Sequence, residues 1–155
     1  MSLRLDYQAL SAQGMKALGA LYGYVSGCGL EKPLVDLVYL RASQINGCVY
    51  CIDNHATDLL KAGQSAQKLL MMPSWREAEG WFTPREQVAL AWTEAVTMIA
   101  ESHVPEDVFT MARGEFDEKG LVDLTIAIGL INTYNRVAIS FRKTPASVAK
   151  MGGGQ

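Results

Sequence analysis

The chain has 155 residues, a length that suits one domain with its own hydrophobic core and leaves little room for a second. Hydrophobic residues make up 49% of the chain and charged residues 19%, so the composition is that of a globular protein with an apolar bias. The formal net charge is −2 and the 14 lysines and arginines are scattered, so the sequence predicts no nucleic-acid partner.

The sequence also gives expectations about compartment. The first ten residues, MSLRLDYQAL, lack the apolar core of a signal peptide. The longest nearly uncharged run, from Leu124 to Asn135, is too short to span a bilayer. We therefore expect a cytoplasmic location and no membrane association. In the cytoplasm, the three cysteines are expected to be reduced, catalytic or metal-bound rather than permanently cross-linked.

Apolar residues recur at helical spacing along most of the chain. In the first half, the spacing predicts a helix over residues 5–24, a second over 33–45 and a third over about 48–63. Asn46 and Gly47, a turn-forming pair, separate the second helix from the third. These two helices are therefore expected to be neighbours.

The second half of the chain begins with a loop and continues with helices. Residues 71–82 are aperiodic and contain two tryptophans, so we predict a well-packed loop with both indoles buried. The segment TPRE at residues 83–86 carries the cap, proline and glutamate of a helix start. A shorter helix is predicted over residues 104–113, and the last over 118–142.

The last predicted helix is mostly apolar between Leu121 and Ile139, so it should be buried. No segment alternates in the pattern of a strand, and the predicted fold class is all-α, with one domain over residues 1–150 and a flexible tail over 151–155. A helix this apolar in so small a chain also predicts a homo-oligomer.

The most informative stretch is QINGCVYCIDNH, residues 44–55, in which two cysteines precede a histidine. On a helix that starts near Cys48, the side chains of Cys48, Cys51 and His55 fall within an arc of roughly 60°. Cys48 would lie at the helix N-terminus, where free backbone N–H groups and the helix dipole favour a thiolate. This arrangement is typical of a redox-active dithiol.

The predicted turn at residues 46–47 brings a fourth group to this face. If the flanking helices form an antiparallel hairpin, Asp36 comes within reach of His55. Cys51, His55 and Asp36 would then act as nucleophile, base and orienting acid. The helix start favours the lower pKa for Cys48 and the neighbouring base favours Cys51, and we give the base the greater weight.

Other interpretations of the stretch stay open. A static disulfide is disfavoured in a reducing compartment, and three groups on one helix face argue against plain packing. Structural zinc held by Cys48, Cys51 and His55 would need a fourth ligand. The candidates for that ligand, none of them at zinc-finger spacing, are Cys28, His103 and Asp36.

Two segments, DLVYLRASQINGCVYCIDNH and LINTYNRVAISFR, resemble the alkylhydroperoxidase D-like group within the carboxymuconolactone decarboxylase family. The pattern of that group is an acidic residue, eleven residues, Cys-x-x-Cys, three residues and His. In this chain the pattern falls on Asp36, Cys48, Cys51 and His55, and the resemblance covers roughly residues 33–142.

The resemblance implies helical protomers assembled into trimers or hexamers, and a peroxidase that uses no metal, haem or other cofactor. It implies that Cys51 attacks the O–O bond of a hydroperoxide and becomes a sulfenic acid, which Cys48 resolves to a disulfide. An external dithiol, in some relatives a lipoyl group on a partner protein, would then restore both thiols.

Two positions depart from the family pattern. Asp36 stands where the family usually has Glu, so a relay through His55 needs a closer helix or a bridging water. Tyr50 stands where some relatives carry a second histidine, which predicts lower activity or a different substrate. The sequence thus predicts a thiol-dependent alkyl hydroperoxide reductase in antioxidant defence. The alternative is a non-enzymatic oligomer whose dithiol senses oxidation or binds zinc.

Overall fold

The computed structural model describes residues 2–145, 147 and 148, and over these residues the chain forms nine α-helices and no strand. This confirms the predicted all-α class, while the predicted tail at residues 151–155 lies outside the described residues. A short 3₁₀ turn occupies Met72–Ser74. The helices are α1 (Tyr7–Leu10), α2 (Ala12–Gly27), α3 (Lys32–Asn46), α4 (Val49–Lys61), α5 (Ala66–Met71), α6 (Pro84–Thr97), α7 (Ile99–Ser102), α8 (Glu106–Glu115) and α9 (Glu118–Phe141).

Capping residues explain where α6 and α9 begin. The Thr83 hydroxyl accepts a hydrogen bond from the Glu86 N–H at 3.2 Å, and the Glu86 carboxylate accepts one from the Thr83 N–H at 2.9 Å. This capping box satisfies two backbone donors that the helix itself leaves unpaired. Asp117 caps α9 in a simpler way, because its carboxylate accepts one hydrogen bond from the Gly120 N–H. Both helix starts were predicted from the sequence.

The first predicted helix is in fact two helices that meet at Ser11. Ser11 has φ −127° and ψ 52°, which are not helical angles. Helix α1 buries no residue, so no packing energy holds the chain in one continuous helix there. Helix α5 was not predicted at all, although its N-cap, Ser65, accepts from the Lys68 N–H at 3.1 Å.

The loop between α5 and α6 is packed by one of its two tryptophans. Trp75 is buried and donates its indole N–H to the Glu94 carboxylate at 2.9 Å. Trp81 is 41% exposed, so the expectation that both indoles are buried is wrong for this residue. The adjacent Phe82 is buried instead and fills the core position that the loop offers.

Helix α3 is the centre of the fold and packs against α4, α6 and α9. Residues 34–40 are all buried, and they contribute to two core clusters. Val38 and Tyr39 belong to the cluster shared with α9, and Leu37 and Leu40 to the one shared with α6 and the tryptophan loop. A helix buried on several sides is a rigid support for the residues at its C-terminal end.

Helix α9 is buried along its inner face, as its apolar sequence predicted. Leu124, Ala127, Ile128 and Ile131 are almost completely inaccessible. No helix in the part of the chain that the structure describes is both long and apolar enough to cross a bilayer.

Candidate functional site

The turn between α3 and α4 positions the two cysteines. Gly47 ends α3 in the left-handed conformation, with φ 68° and ψ 29°, which glycine adopts without strain. The Cys48 N–H then donates to the Ser43 carbonyl at 2.9 Å, and Cys48 becomes the N-cap of α4. The predicted helical hairpin is therefore present, and Cys48 stands at the helix start where the sequence placed it.

Cys48 and Cys51 are both free thiols and both buried, with exposed fractions of 1% and 4%. The Cys51 thiol, which stabilises a Cys48 thiolate, is the main reason that the pKa of Cys48 falls to about 7. Backbone N–H groups of Tyr50 and Cys51 add to this effect and, together, these groups outweigh burial. The Cys48 thiolate and burial raise the pKa of Cys51.

The lower thiol pKa therefore belongs to Cys48, whereas the base beside Cys51 had led us to expect it at Cys51. The physical reason is the hydrogen bond from the Cys51 thiol, to which the helix start adds backbone donors. The first turn of α4 directs backbone donors at Cys48, whereas no hydrogen bond joins the Cys51 thiol to His55 within the described residues. Donors that touch a sulfur lower its pKa more than a base that does not.

A network of buried and half-buried polar side chains lies next to the thiols. The Asn46 amide donates to the side-chain oxygens of Asn132 and Asn135 at 2.9 Å each, and Asn135 donates to the Ser43 hydroxyl at 3.0 Å. Asn135 and Ser43 are completely buried, and Asn135 also favours the thiolate of Cys48. Neither residue was predicted to belong to the site. The available signal was an asparagine within an apolar helix, since buried polar groups need partners.

Asp36 and His55 lie side by side, as the hairpin predicted. The distance between Asp36 Oδ1 and His55 Nδ1 is 3.7 Å, which is longer than a normal hydrogen bond. The buried Nδ1 has no hydrogen-bond partner in the described structure. The sequence predicted that the shorter aspartate side chain would need a closer helix or a bridging water to reach His55, and the gap leaves the pair dependent on electrostatic attraction or such a water.

Two neighbouring side chains keep Asp36 ionised. Burial opposes ionisation of this carboxyl, but the imidazole of His55 and the ammonium of Lys32 outweigh burial and lower the pKa of Asp36. Lys32 lies one turn earlier on α3 and binds the second oxygen of Asp36. Asp36 is therefore a carboxylate at neutral pH and can stabilise a positively charged His55.

No hydrogen bond joins Cys51 to His55 among the described residues, but they line the same cavity. This cavity has a volume of about 630 Å³ and runs along α4, with walls from α1, α2, α3 and α9. A second, smaller cavity of about 350 Å³ is lined by Cys48 and not by Cys51. Each thiol thus faces a different space, and only Cys51 shares its space with a base.

The structure gives no support to a zinc site made from the cysteines. Among the described residues, the acidic, histidine and cysteine side chains that could share one metal ion are Asp36, His55 and Asp58, whose ligand atoms lie within 4.8 Å of one another. Of the other candidate ligands, His103 is exposed at the end of α7, and Cys28 donates its thiol to the Val25 carbonyl at 3.1 Å. Neither joins the dithiol.

Comparisons with known proteins agree with these features. A model of the carboxymuconolactone decarboxylase family matches residues 12–95, which is more than half of the chain. The uncharacterized protein YdfG of Bacillus subtilis is 33% identical over 147 residues, covering 95% of this chain and 99% of the relative.

Solved structures extend the similarity to the fold. A protein of unknown function from Agrobacterium tumefaciens, suggested to be the antioxidant defence protein AhpD, is 41% identical with a TM-score of 0.89, covering 93% of this chain and 98% of that one. An uncharacterized peroxidase-related protein with an alkylhydroperoxidase AhpD core, from Ralstonia eutropha, has a TM-score of 0.76 at 20% identity, covering 89% and 73%. The chain therefore belongs to the carboxymuconolactone decarboxylase family and is an AhpD-like member of it.

Proposed function

We propose that this protein reduces organic hydroperoxides with the Cys48–Cys51 dithiol and so contributes to antioxidant defence. The observation that carries the proposal is the shared cavity, in which a thiol and a histidine face the same space of about 630 Å³. The similarity to proteins described as AhpD or as peroxidase-related points in the same direction.

The proposed reaction balances within the dithiol. The Cys51 thiolate attacks one oxygen of the hydroperoxide, so that an S–O bond forms and the O–O bond breaks. Cys51 becomes a sulfenic acid, and the alkoxide that leaves takes a proton and departs as an alcohol. Cys48 then attacks the Cys51 sulfur, an S–S bond forms, and hydroxide leaves as water after protonation. The dithiol loses two electrons and the hydroperoxide gains them, so no further cofactor is required.

His55 is assigned the proton transfers of the first step. It accepts the Cys51 proton and returns it to the leaving alkoxide, through the substrate or a water molecule, because no hydrogen bond joins the two side chains in the part of the chain that the structure describes. Asp36 stabilises the imidazolium that exists between these transfers. Lys32 keeps Asp36 ionised.

The attacking sulfur is assigned by access, although Cys48 is the more acidic thiol. Once His55 has accepted one proton from the pair, the two sulfurs hold a single proton between them, and the thiolate lies on Cys51 when that proton is on Cys48. Cys51 is the sulfur that opens into the cavity with His55, so it meets a bound hydroperoxide first. Cys48 then acts as the resolving thiol.

The test is oxidation by one equivalent of cumene hydroperoxide, followed by alkylation and mass mapping. The wild-type protein should form a Cys48–Cys51 disulfide, and Cys48→Ser should accumulate a sulfenic acid on Cys51 that a dimedone probe traps. Cys51→Ser should not react, whereas Cys28→Ser, a matched control outside the dithiol, should behave like wild type. A sulfenic acid on Cys48 in the Cys51→Ser variant would reverse the two roles.

Turnover needs an external dithiol to reduce the disulfide, and dihydrolipoamide is the first reductant to test. With the Cys51→Ser variant as the blank, continuous peroxide consumption should require both the reductant and the intact dithiol. If the protein oxidises once and is not reduced by any dithiol, the non-enzymatic sensor becomes the better hypothesis.

A further inference from the structure

The cavity beside Cys51 has a wall of tyrosines. Of the six tyrosines in the chain, Tyr24 alone lies outside this wall. The five that line the cavity come from five helices and are Tyr7, Tyr22, Tyr39, Tyr50 and Tyr134. Aromatic side chains gathered from distant parts of a chain around one space form a surface suited to a flat apolar ligand.

Among the described residues, three of these rings have no aromatic partner, and one of the three, Tyr50, has the Lys143 ammonium over its ring instead. Tyr39 packs edge-on against His55 with ring centroids 5.0 Å apart, and Tyr7 packs against Phe141 at 5.5 Å. This leaves Tyr22 on α2 and Tyr134 on α9 without a ring or cation contact in the part of the chain that the structure describes. A ring that enters the cavity can contact these two side chains without displacing an aromatic partner.

The size and charge of the cavity restrict the class of ligand further. A cavity of about 150 Å³ is enough to hold a benzene molecule, and this one is about 630 Å³. A small aliphatic hydroperoxide would leave most of the space empty. The charged side chains that line it are Asp53, Asp58 and Lys61, which together favour a ligand without negative charge.

One polar group in the cavity wall also lacks a hydrogen-bond partner among the described residues. The Tyr39 hydroxyl is buried and has no hydrogen-bond partner among the described residues. Because a buried hydroxyl without a partner is unfavourable, an acceptor oxygen on a bound molecule would stabilise it. A hydroperoxide and the alcohol formed from it both carry such an oxygen.

We infer that the substrate of this site is an uncharged hydroperoxide that carries an aromatic ring, held between Tyr22 and Tyr134 with its O–O group directed at Cys51. This inference rests on the proposed peroxidase function and specifies its substrate class. The tyrosines are assigned to binding, and the chemistry remains with the dithiol and His55.

The test compares two tertiary hydroperoxides that differ only in a phenyl group in place of a methyl group, cumene hydroperoxide and tert-butyl hydroperoxide. The second-order rate constant of Cys51 oxidation should be at least about tenfold higher for cumene hydroperoxide, after division by the corresponding ratio for dithiothreitol in solution. A ratio equal to that of the free thiol would overturn the inference while leaving the peroxidase function intact.

Three variants localise the effect. Tyr22→Leu and Tyr134→Leu should each lower the preference for the aromatic substrate severalfold, measured as the ratio of the two rate constants. Tyr24→Leu is the matched control, because Tyr24 binds Asp123 on the other side of α2 and does not line the cavity. Equal effects from Tyr22→Leu and Tyr24→Leu, in variants whose circular dichroism is unchanged, would contradict a binding role.

A binding measurement separates this inference from the proposed function. The product alcohol, 2-phenyl-2-propanol, should bind the wild-type protein and the Cys51→Ser variant alike, with NMR shift changes at Tyr22 and Tyr134. Binding without any oxidation of Cys51 by either hydroperoxide would retain the aromatic site and reject the peroxidase. Oxidation of Cys51 without binding of the alcohol would retain the peroxidase function and reject the aromatic site.

Discussion

At the scale of single residues, the length of the Asp36 side chain limits the proton relay. The 3.7 Å between Asp36 and the His55 ring leaves a buried nitrogen without a hydrogen bond. A glutamate at this position would be one methylene longer and could close the gap. The same extra methylene would enter a tightly packed region, so the gain in contact is opposed by packing strain.

Two substitutions at Asp36 should therefore change the rate constant of Cys51 oxidation in opposite directions. We expect Asp36→Glu to raise the rate constant of Cys51 oxidation severalfold, at a cost of about 1 kcal/mol or more in stability. Asp36→Asn should lower that rate constant by about tenfold or more, because the imidazolium loses its counter-charge. Stopped-flow oxidation by a hydroperoxide measures both, with the exposed Asp107→Asn as the control. An unchanged rate in Asp36→Asn would remove Asp36 from the relay.

The pKa of the thiol pair predicts how peroxide reactivity depends on pH. The pKa of Cys48 is lowered to about 7, so thiolate should form as the pH rises through 7, and peroxide reactivity should fall below it. Because the Cys51 thiol is the main cause, Cys51→Ala should move this midpoint to higher pH. Thiolate absorbance in the ultraviolet, recorded in a Cys28→Ser background, measures the midpoint. A titration unchanged by Cys51→Ala would show that the helix start alone sets the pKa.

At the scale of elements, the hairpin of α3 and α4 assembles the site, and Gly47 forms the turn between the two helices. Gly47 adopts a positive φ of 68°, so Gly47→Ala should destabilise the protein by about 1–2 kcal/mol. It should also slow formation of the Cys48–Cys51 disulfide. Gly19→Ala is the matched control, because Gly19 lies within α2 with open space around its Cβ position, and it should be neutral or stabilising. Thermal unfolding checks both, and equal effects would contradict a special role for the turn.

This element was predictable because its determinants are local. The Asn46-Gly47 pair, the spacing of the cysteines and the resulting register with Asp36 can all be read from neighbouring residues. The division of the first helix at Ser11 could not be predicted, since it depends on the absence of packing around α1. Nor could the buried contact of Asn135 with Ser43, which joins residues 92 positions apart. Tertiary packing, rather than propensity, decides such features.

At the scale of the whole molecule, the cavity beside Cys48 is bordered by apolar surface. Val49, Ile139 and Val148 line it, and each is exposed by between 46% and 61%. An apolar patch of this kind in a small chain is a common sign of a covered interface. The homo-oligomer predicted from the apolar composition is therefore proposed to bury this surface, next to the resolving thiol.

The oligomer prediction can be tested with one pair of variants. Light scattering should give the wild-type protein the mass of a trimer or hexamer of the 16.9 kDa chain. Ile139→Glu places a charge in the patch and should shift the mass towards smaller species, because an unpaired charge opposes burial. Leu10→Glu is the control, since Leu10 on α1 is even more exposed but lines neither cavity. A monomeric wild type would reject the oligomer, whereas an oligomer that Ile139→Glu leaves intact would place its interface on another face.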